Sequence, residues 1–180
     1  MTVAVVTSSP PFAEGGHLVM ARELVRALRE SGHDAGLIVT PQNRFGRQAS
    51  AYLAAWCTDV GLAHDGTPID RVISLRFPAY AVRHPHHVLW LNHRMREYYD
   101  LWDRFRTRRA LIHRADGYFL HRIPRRFVIS ATVQARLRRW GGIASEVLHP
   151  PPPVREYRAE PHDDYIFAVS RLTPLKRFDL

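Results

Sequence analysis

Residues 3 to 40 constrain the fold more tightly than any other stretch. Val3-Ala4-Val5-Val6-Thr7 is a near-continuous apolar run, the pattern of a strand buried on both faces of a parallel sheet. A loop rich in turn formers follows, Ser8-Ser9-Pro10-Pro11-Phe12-Ala13-Glu14-Gly15-Gly16. From His17 to Glu30, Leu18, Ala21, Leu24, Val25 and Leu28 recur at helical spacing and predict an amphipathic helix, with Gly32 as its C-terminal cap. Ala35 to Thr40 is the next strand. A strand-loop-helix-strand unit of this length implies a right-handed crossover and a parallel sheet.

The same alternation continues. A short helix is expected over Gln48 to Trp56 and a third strand over Arg71 to Leu75. A histidine-rich turn, His84-Pro85-His86-His87, leads to a fourth strand over Val88 to Leu91. Helices are expected over Arg94 to Thr107, over Arg108 to about His121, and over Ala131 to Trp140. A fifth strand covers Arg126 to Ser130, and a sixth lies within Ile143 to Leu148. Strands alternating with helices predict an α/β, Rossmann-like, doubly wound parallel sheet. Four consecutive prolines, Pro150 to Pro153, then force an extended connection. We expect one domain over 1–153, followed over 154–180 by a linker and the opening of a second domain. In that opening Tyr165 to Val169 reads as a buried strand, and Pro174 as an early helix residue.

Charge narrows the function classes. The 180 residues carry a formal net charge of +9. Residues 94 to 139 hold 13 arginines against Glu97, Asp100, Asp103 and Asp116, an excess that equals the net charge of the whole chain. Such a face favours anionic partners, phosphates or an acidic membrane surface. A nucleic-acid module would also use it, but RNP-type aromatic strands, helix-turn-helix spacing and a zinc framework are lacking. The expectation is no nucleic acid. The single cysteine, Cys57, excludes an internal disulfide. No apolar run approaches the roughly 20 residues that span a bilayer, and the N-terminus enters a strand without a signal-like segment. The expected location is the cytoplasm, with peripheral contact at an anionic membrane face allowed.

Four stretches, taken in order, resemble the N-terminal half of a family 4 glycosyltransferase of the GT-B fold. PPFAEGGHLVMARELVRALRESGHD matches the first loop and helix. FPAYAVRHPHHVLWLNHRMREYYDLW resembles a bacterial block in which a strand ends in histidine and an Arg-x-x-Tyr-Asp-Leu segment follows. FVISATVQARLRRWGGIASEVLHPPPP resembles the late strand, helix and proline-rich crossing. YIFAVSRLTPLKRFDL resembles the start of the donor domain.

The resemblance implies a retaining hexosyltransferase. It would move a sugar from a nucleotide-diphosphate sugar to a saccharide or lipid-linked acceptor, in cell-surface polysaccharide synthesis. It implies no cofactor beyond the donor substrate, and no metal. Gly15 and Gly16 would let backbone approach the acceptor and the donor diphosphate, because no side chain intervenes. His93 lies just past the carboxyl end of the fourth strand, where open α/β sheets place ligands. By itself it also reads as an ordinary surface histidine, one of 11; under the resemblance it contacts the sugar or the acceptor hydroxyl. Arg94 and Ser130 join it as substrate-binding candidates. Tyr98, Tyr99 and Trp102 read as packing residues rather than a sugar platform. His84, His86 and His87 have no acid positioned with them, so a metal site is not expected. Arg171 and Lys176, the only lysine in the chain, would stabilise charge developing on the departing diphosphate. The nucleobase pocket and the acidic pair that grips the donor would lie beyond Leu180, so these 180 residues alone should show little or no transfer.

Overall fold

A computed structural model of the chain describes residues 1–42, 47–100, 106–152, 158, 161 and 164–167. Six strands form one all-parallel sheet: β1 (Thr2–Ser9), β2 (Asp34–Pro41), β3 (Arg71–Ser74), β4 (His87–Leu91), β5 (Arg125–Val128) and β6 (Glu146–Val147). The strand order is β2-β1-β3-β4-β5-β6. Val3 to Val6 of β1 are buried, as an inner strand with β2 on one side and β3 on the other requires.

Helices cover both faces. One core cluster joins Ala21 and Val25 of α1 (Gly16–Glu30) to Val3, Val5, Leu75 and Trp90. The other face carries α2 (Gln48–Cys57), α3 (Arg106–Arg122) and α4 (Ala131–Gly141). Tyr52, Ile112, Leu120, Val133 and Leu137 from these helices pack there with Val6, Val72 and Leu89. The chain is therefore an α/β protein of the Rossmann-like, doubly wound type. Because α1 and α2 leave β1 and β2 toward opposite faces, the winding reverses between β1 and β3. In open α/β sheets that reversal opens a crevice at the carboxyl ends of the strands.

Two expected elements differ. The helix expected over Arg94 to Thr107 is absent from residues 94 to 100. Residues Arg96–Tyr98 make a single 3-10 turn, Tyr99 and Asp100 lie outside any helix, residues 101–105 lie outside the described residues, and α3 is described from Arg106. The reason is packing. Arg94 stacks over the Tyr99 ring at 3.9 Å, whereas residues five apart lie about 140° apart around an α-helix. Tyr98 and Tyr99 are both buried, as their reading as packing residues required.

The buried strand expected at Tyr165 to Val169 also differs. Tyr165, Ile166 and Phe167 are exposed and outside any strand, while residues 168 and 169 lie outside the described residues. An apolar triplet becomes a buried strand only with sheet neighbours, and no described strand pairs with it.

Candidate functional site at the carboxyl edge of the sheet

All six strands run the same way, so their carboxyl ends share one edge. From β1 the chain enters the loop that ends at Gly15, which has extended backbone and caps α1 without a side chain. Its carbonyl accepts from the amides of Leu18 (2.9 Å) and Val19 (3.3 Å). Gly16 is the first helical residue, and a Cβ added there would meet nothing within 4 Å. At the loop's outer side Glu14 forms a two-pronged pair with Arg22, at 3.0 and 3.1 Å. Phe12 stands fully exposed at φ 59°, in the left-handed region that non-glycine residues rarely occupy.

His93 follows β4, two strands from β1 and so about 10 Å along the edge at ordinary strand spacing. Its Nδ1 lies 2.9 Å from the Arg94 carbonyl. A carbonyl can only accept, so Nδ1 carries the proton and Nε2 keeps its lone pair. The ring is open to solvent, yet protein surrounds it on most sides, and this desolvation lowers its pKa below the ordinary 6.5. The hydrogen bond to Arg94 opposes that shift, the Arg76 and Arg96 charges add to it, and Glu97 opposes it. His93 is thus a neutral hydrogen-bond acceptor near pH 7, on the rim of a small cleft shared with Arg94, Arg96, Asp100 and Arg136.

Arg94 is already engaged. Besides stacking on Tyr99, it donates to the Arg136 carbonyl of α4 at 2.9 Å. Tyr99 in turn donates to Asp116 at 2.5 Å, and Tyr52 and Tyr80 donate to the same carboxyl. Asp116 is fully buried, and burial raises its pKa against the pull of the three hydroxyls and Arg94. An ionised carboxylate, which only accepts, satisfies all three donors at once. This network ties α2, the Ala79–Ala81 turn and α3 to the segment that carries His93.

Ser130 follows β5 and caps α4: its Oγ accepts from the Val133 amide at 3.3 Å. Gly15, Gly16, His93, Arg94 and Ser130 therefore share one edge of the sheet. Arg171 and Lys176 lie outside the described residues. The turn histidines are committed elsewhere. His84 bonds the Ile69 carbonyl and the His86 amide, and His87 bonds Ser74. Among the described residues no three His, Cys, Asp or Glu side chains converge on a metal-sized site.

Much of the arginine excess also has structural work. Arg94, Arg109, Arg122 and Arg139 lie over aromatic rings at 3.9 to 5.1 Å. Arg126 donates to the Ala144 and Ile123 carbonyls.

Sequence reasoning missed Arg76. It is 8% exposed, just past β3 at the reversal of the winding. The signal was present: a charged residue directly follows an apolar strand and precedes Phe77-Pro78. No protein-family model matches the chain, and no curated protein matches it.

Proposed function

We propose that this chain is the acceptor-binding domain of a retaining glycosyltransferase that uses a nucleotide-diphosphate sugar. The observation that carries the reading is His93, a neutral imidazole with a free Nε2 lone pair at the carboxyl edge of a doubly wound sheet. In the transfer, that nitrogen accepts from a hydroxyl of the saccharide or lipid-linked acceptor next to the reacting one, and so holds the reacting hydroxyl on one face of the donor sugar. The reacting oxygen bonds to the anomeric carbon as the bond from that carbon to the diphosphate breaks. The hydroxyl proton leaves with the diphosphate, and retention follows because entry and departure share a face. Arg171 and Lys176 offset the charge on the departing phosphates.

The test is binding of the 180-residue chain to an immobilised panel of saccharides and lipid-linked saccharides. Selective retention, abolished in His93→Ala, supports the reading. Failure of the whole panel, or retention indifferent to His93→Ala, rejects it.

A second reading rests on α3. Leu111, Arg114, Tyr118 and Arg122 are exposed at spacings of three, four and four residues, an apolar and basic stripe suited to an anionic membrane surface. No helix among the described residues is long and apolar enough to cross a membrane. Peripheral contact at the inner membrane face is compatible with a cytoplasmic enzyme acting on lipid-linked acceptors. Sedimentation with vesicles, with and without phosphatidylserine, tests it. Binding that requires the anionic lipid and falls in Arg114→Glu supports surface contact.

A further inference from the structure

Arg76 is the one buried arginine here that has neither an ion pair nor a hydrogen bond among the described residues. Arg94, equally buried, has a carbonyl and an aromatic face. The Nε of Arg76 is enclosed and without a partner. Burial lowers its pKa to about 10, and no carboxylate among the described residues opposes that shift. The side chain remains a cation at neutral pH. A buried cation without a counter-charge is costly, and folds retain one where something else supplies the anion.

Its position says where that anion would come from. Val6 of β1 and Leu89 of β4 both pair with Ser74 in β3. Continuing the parallel register two residues sets Arg76 level with Ser8 on one side and Leu91 on the other. Ser8 Oγ donates to the Phe77 carbonyl, which pins the backbone just after Arg76. The Arg76 charge reaches His93 strongly enough to lower that histidine's pKa. A guanidinium unpaired among the described residues thus stands at the switch point of the sheet, electrostatically coupled to the residue assigned to the acceptor hydroxyl.

We propose that Arg76 anchors an oxyanion site at the β1–β3 switch point, which takes a phosphate group carried by the acceptor. The identity of the carrier rests on the acceptor-binding reading above; the anion site itself does not. A planar guanidinium meets a phosphate with two parallel N–H donors. The guanidinium is mostly shielded from solvent, which strengthens the pair.

The experiment is thermal unfolding of the 180-residue chain at constant ionic strength. Chloride is replaced by inorganic phosphate, by glucose 6-phosphate or by uridine diphosphate. Three variants accompany it: Arg76→Met, Arg76→Lys, and Arg138→Gln as an exposed basic control. Saturable stabilisation by inorganic phosphate and glucose 6-phosphate is expected in the wild type and in Arg138→Gln. In Arg76→Met it should be lost, and in Arg76→Lys the apparent affinity should fall about 10- to 100-fold, the cost of a charge-assisted bond. Without phosphate, Arg76→Met should melt at or above the wild-type temperature, because a desolvated cation has been removed.

A large drop in its melting temperature would instead make Arg76 a structural residue and overturn the site. Phosphate stabilisation that survives Arg76→Met, or falls equally in Arg138→Gln, would overturn it too. Stabilisation by uridine diphosphate alone would overturn the assignment to the acceptor. If the phosphate effect depends on Arg76 while the saccharide panel is blank, the anion site stands and the acceptor-binding reading fails.

Discussion

Arg94 lies over the ring of Tyr99, 3.9 Å from its centroid, while the hydroxyl of that same tyrosine donates to buried Asp116 at 2.5 Å. One aromatic side chain therefore couples the segment beside His93 to the polar centre of the α3 face. Ring and hydroxyl make separable contributions. Tyr99→Phe keeps the stacking and removes a hydrogen bond to a charged acceptor, worth about 1.5–3 kcal/mol. Tyr99→Leu removes the cation–π contact as well and should cost a further ~1 kcal/mol. Urea unfolding of the two variants measures both steps. Equal losses would mean that the guanidinium contributes nothing through the ring.

His87 predicts an acid limit to stability. It is buried against Ser74 at 2.7 Å, and desolvation, helped by the nearby His84, lowers its pKa from 6.5 to about 4. A depressed histidine favours the folded state while neutral. Its contribution is fully present above pH 6.5 and is lost as pH falls through about 4. Two and a half pK units correspond to about 3 kcal/mol. Unfolding free energies from pH 7 to pH 4 should fall by roughly that amount, and His87→Gln should flatten the curve. An unchanged slope in the variant would assign the acid sensitivity to another group.

Ser130 offers a test of local structure. Ser130→Ala leaves the Val133 amide without its cap and should cost about 1 kcal/mol. Ser130→Asp keeps a capping oxygen and should stay within ~0.5 kcal/mol of wild type. Should Ser130→Ala abolish saccharide retention while the aspartate variant keeps it, the serine acts by holding α4 in place. Loss in both variants would point to direct contact through the hydroxyl.

The sheet was legible because parallel strands announce themselves. Val3 to Thr7 and Val88 to Leu91 are apolar runs that no amphipathic helix would carry, and both form strands. The region from Arg94 to Thr107 misled because its arginines and aromatics suit a helix locally. A stacking contact with no sequence signature, Arg94 on Tyr99, holds residues 94 to 99 out of a helix. Asp116 was legible only as one acid against 13 arginines, since its partners Tyr52, Tyr80 and Tyr99 lie 64, 36 and 17 residues away. The candidate site shows the same split. Topology brings Gly15, Gly16, His93, Arg94 and Ser130 to one edge, as their positions after strands implied. Arg76 stayed hidden because a lone arginine two residues before a proline looks like any surface turn until its burial is known.

The protonation of His93 gives the acceptor-binding reading a pH signature. Burial and the Arg76 and Arg96 charges lower its pKa, while Glu97 and the Arg94 carbonyl work against them. Its Nε2 lone pair is therefore available at pH 7 and above. It is lost to protonation only as pH falls below the ordinary histidine range. Saccharide binding should be constant from pH 8 to about 6.5 and weaken below that, over a pH range set by the depressed pKa. Arg76→Met removes one of the depressing charges, so the fall should begin at higher pH in that variant. His93→Gln offers a neutral amide oxygen and should bind more weakly but without the acidic fall. Titration of binding by calorimetry, with the His93 ring followed by NMR, tests both statements. A binding curve that falls with pH equally in His93→Gln would remove His93 from the acceptor site.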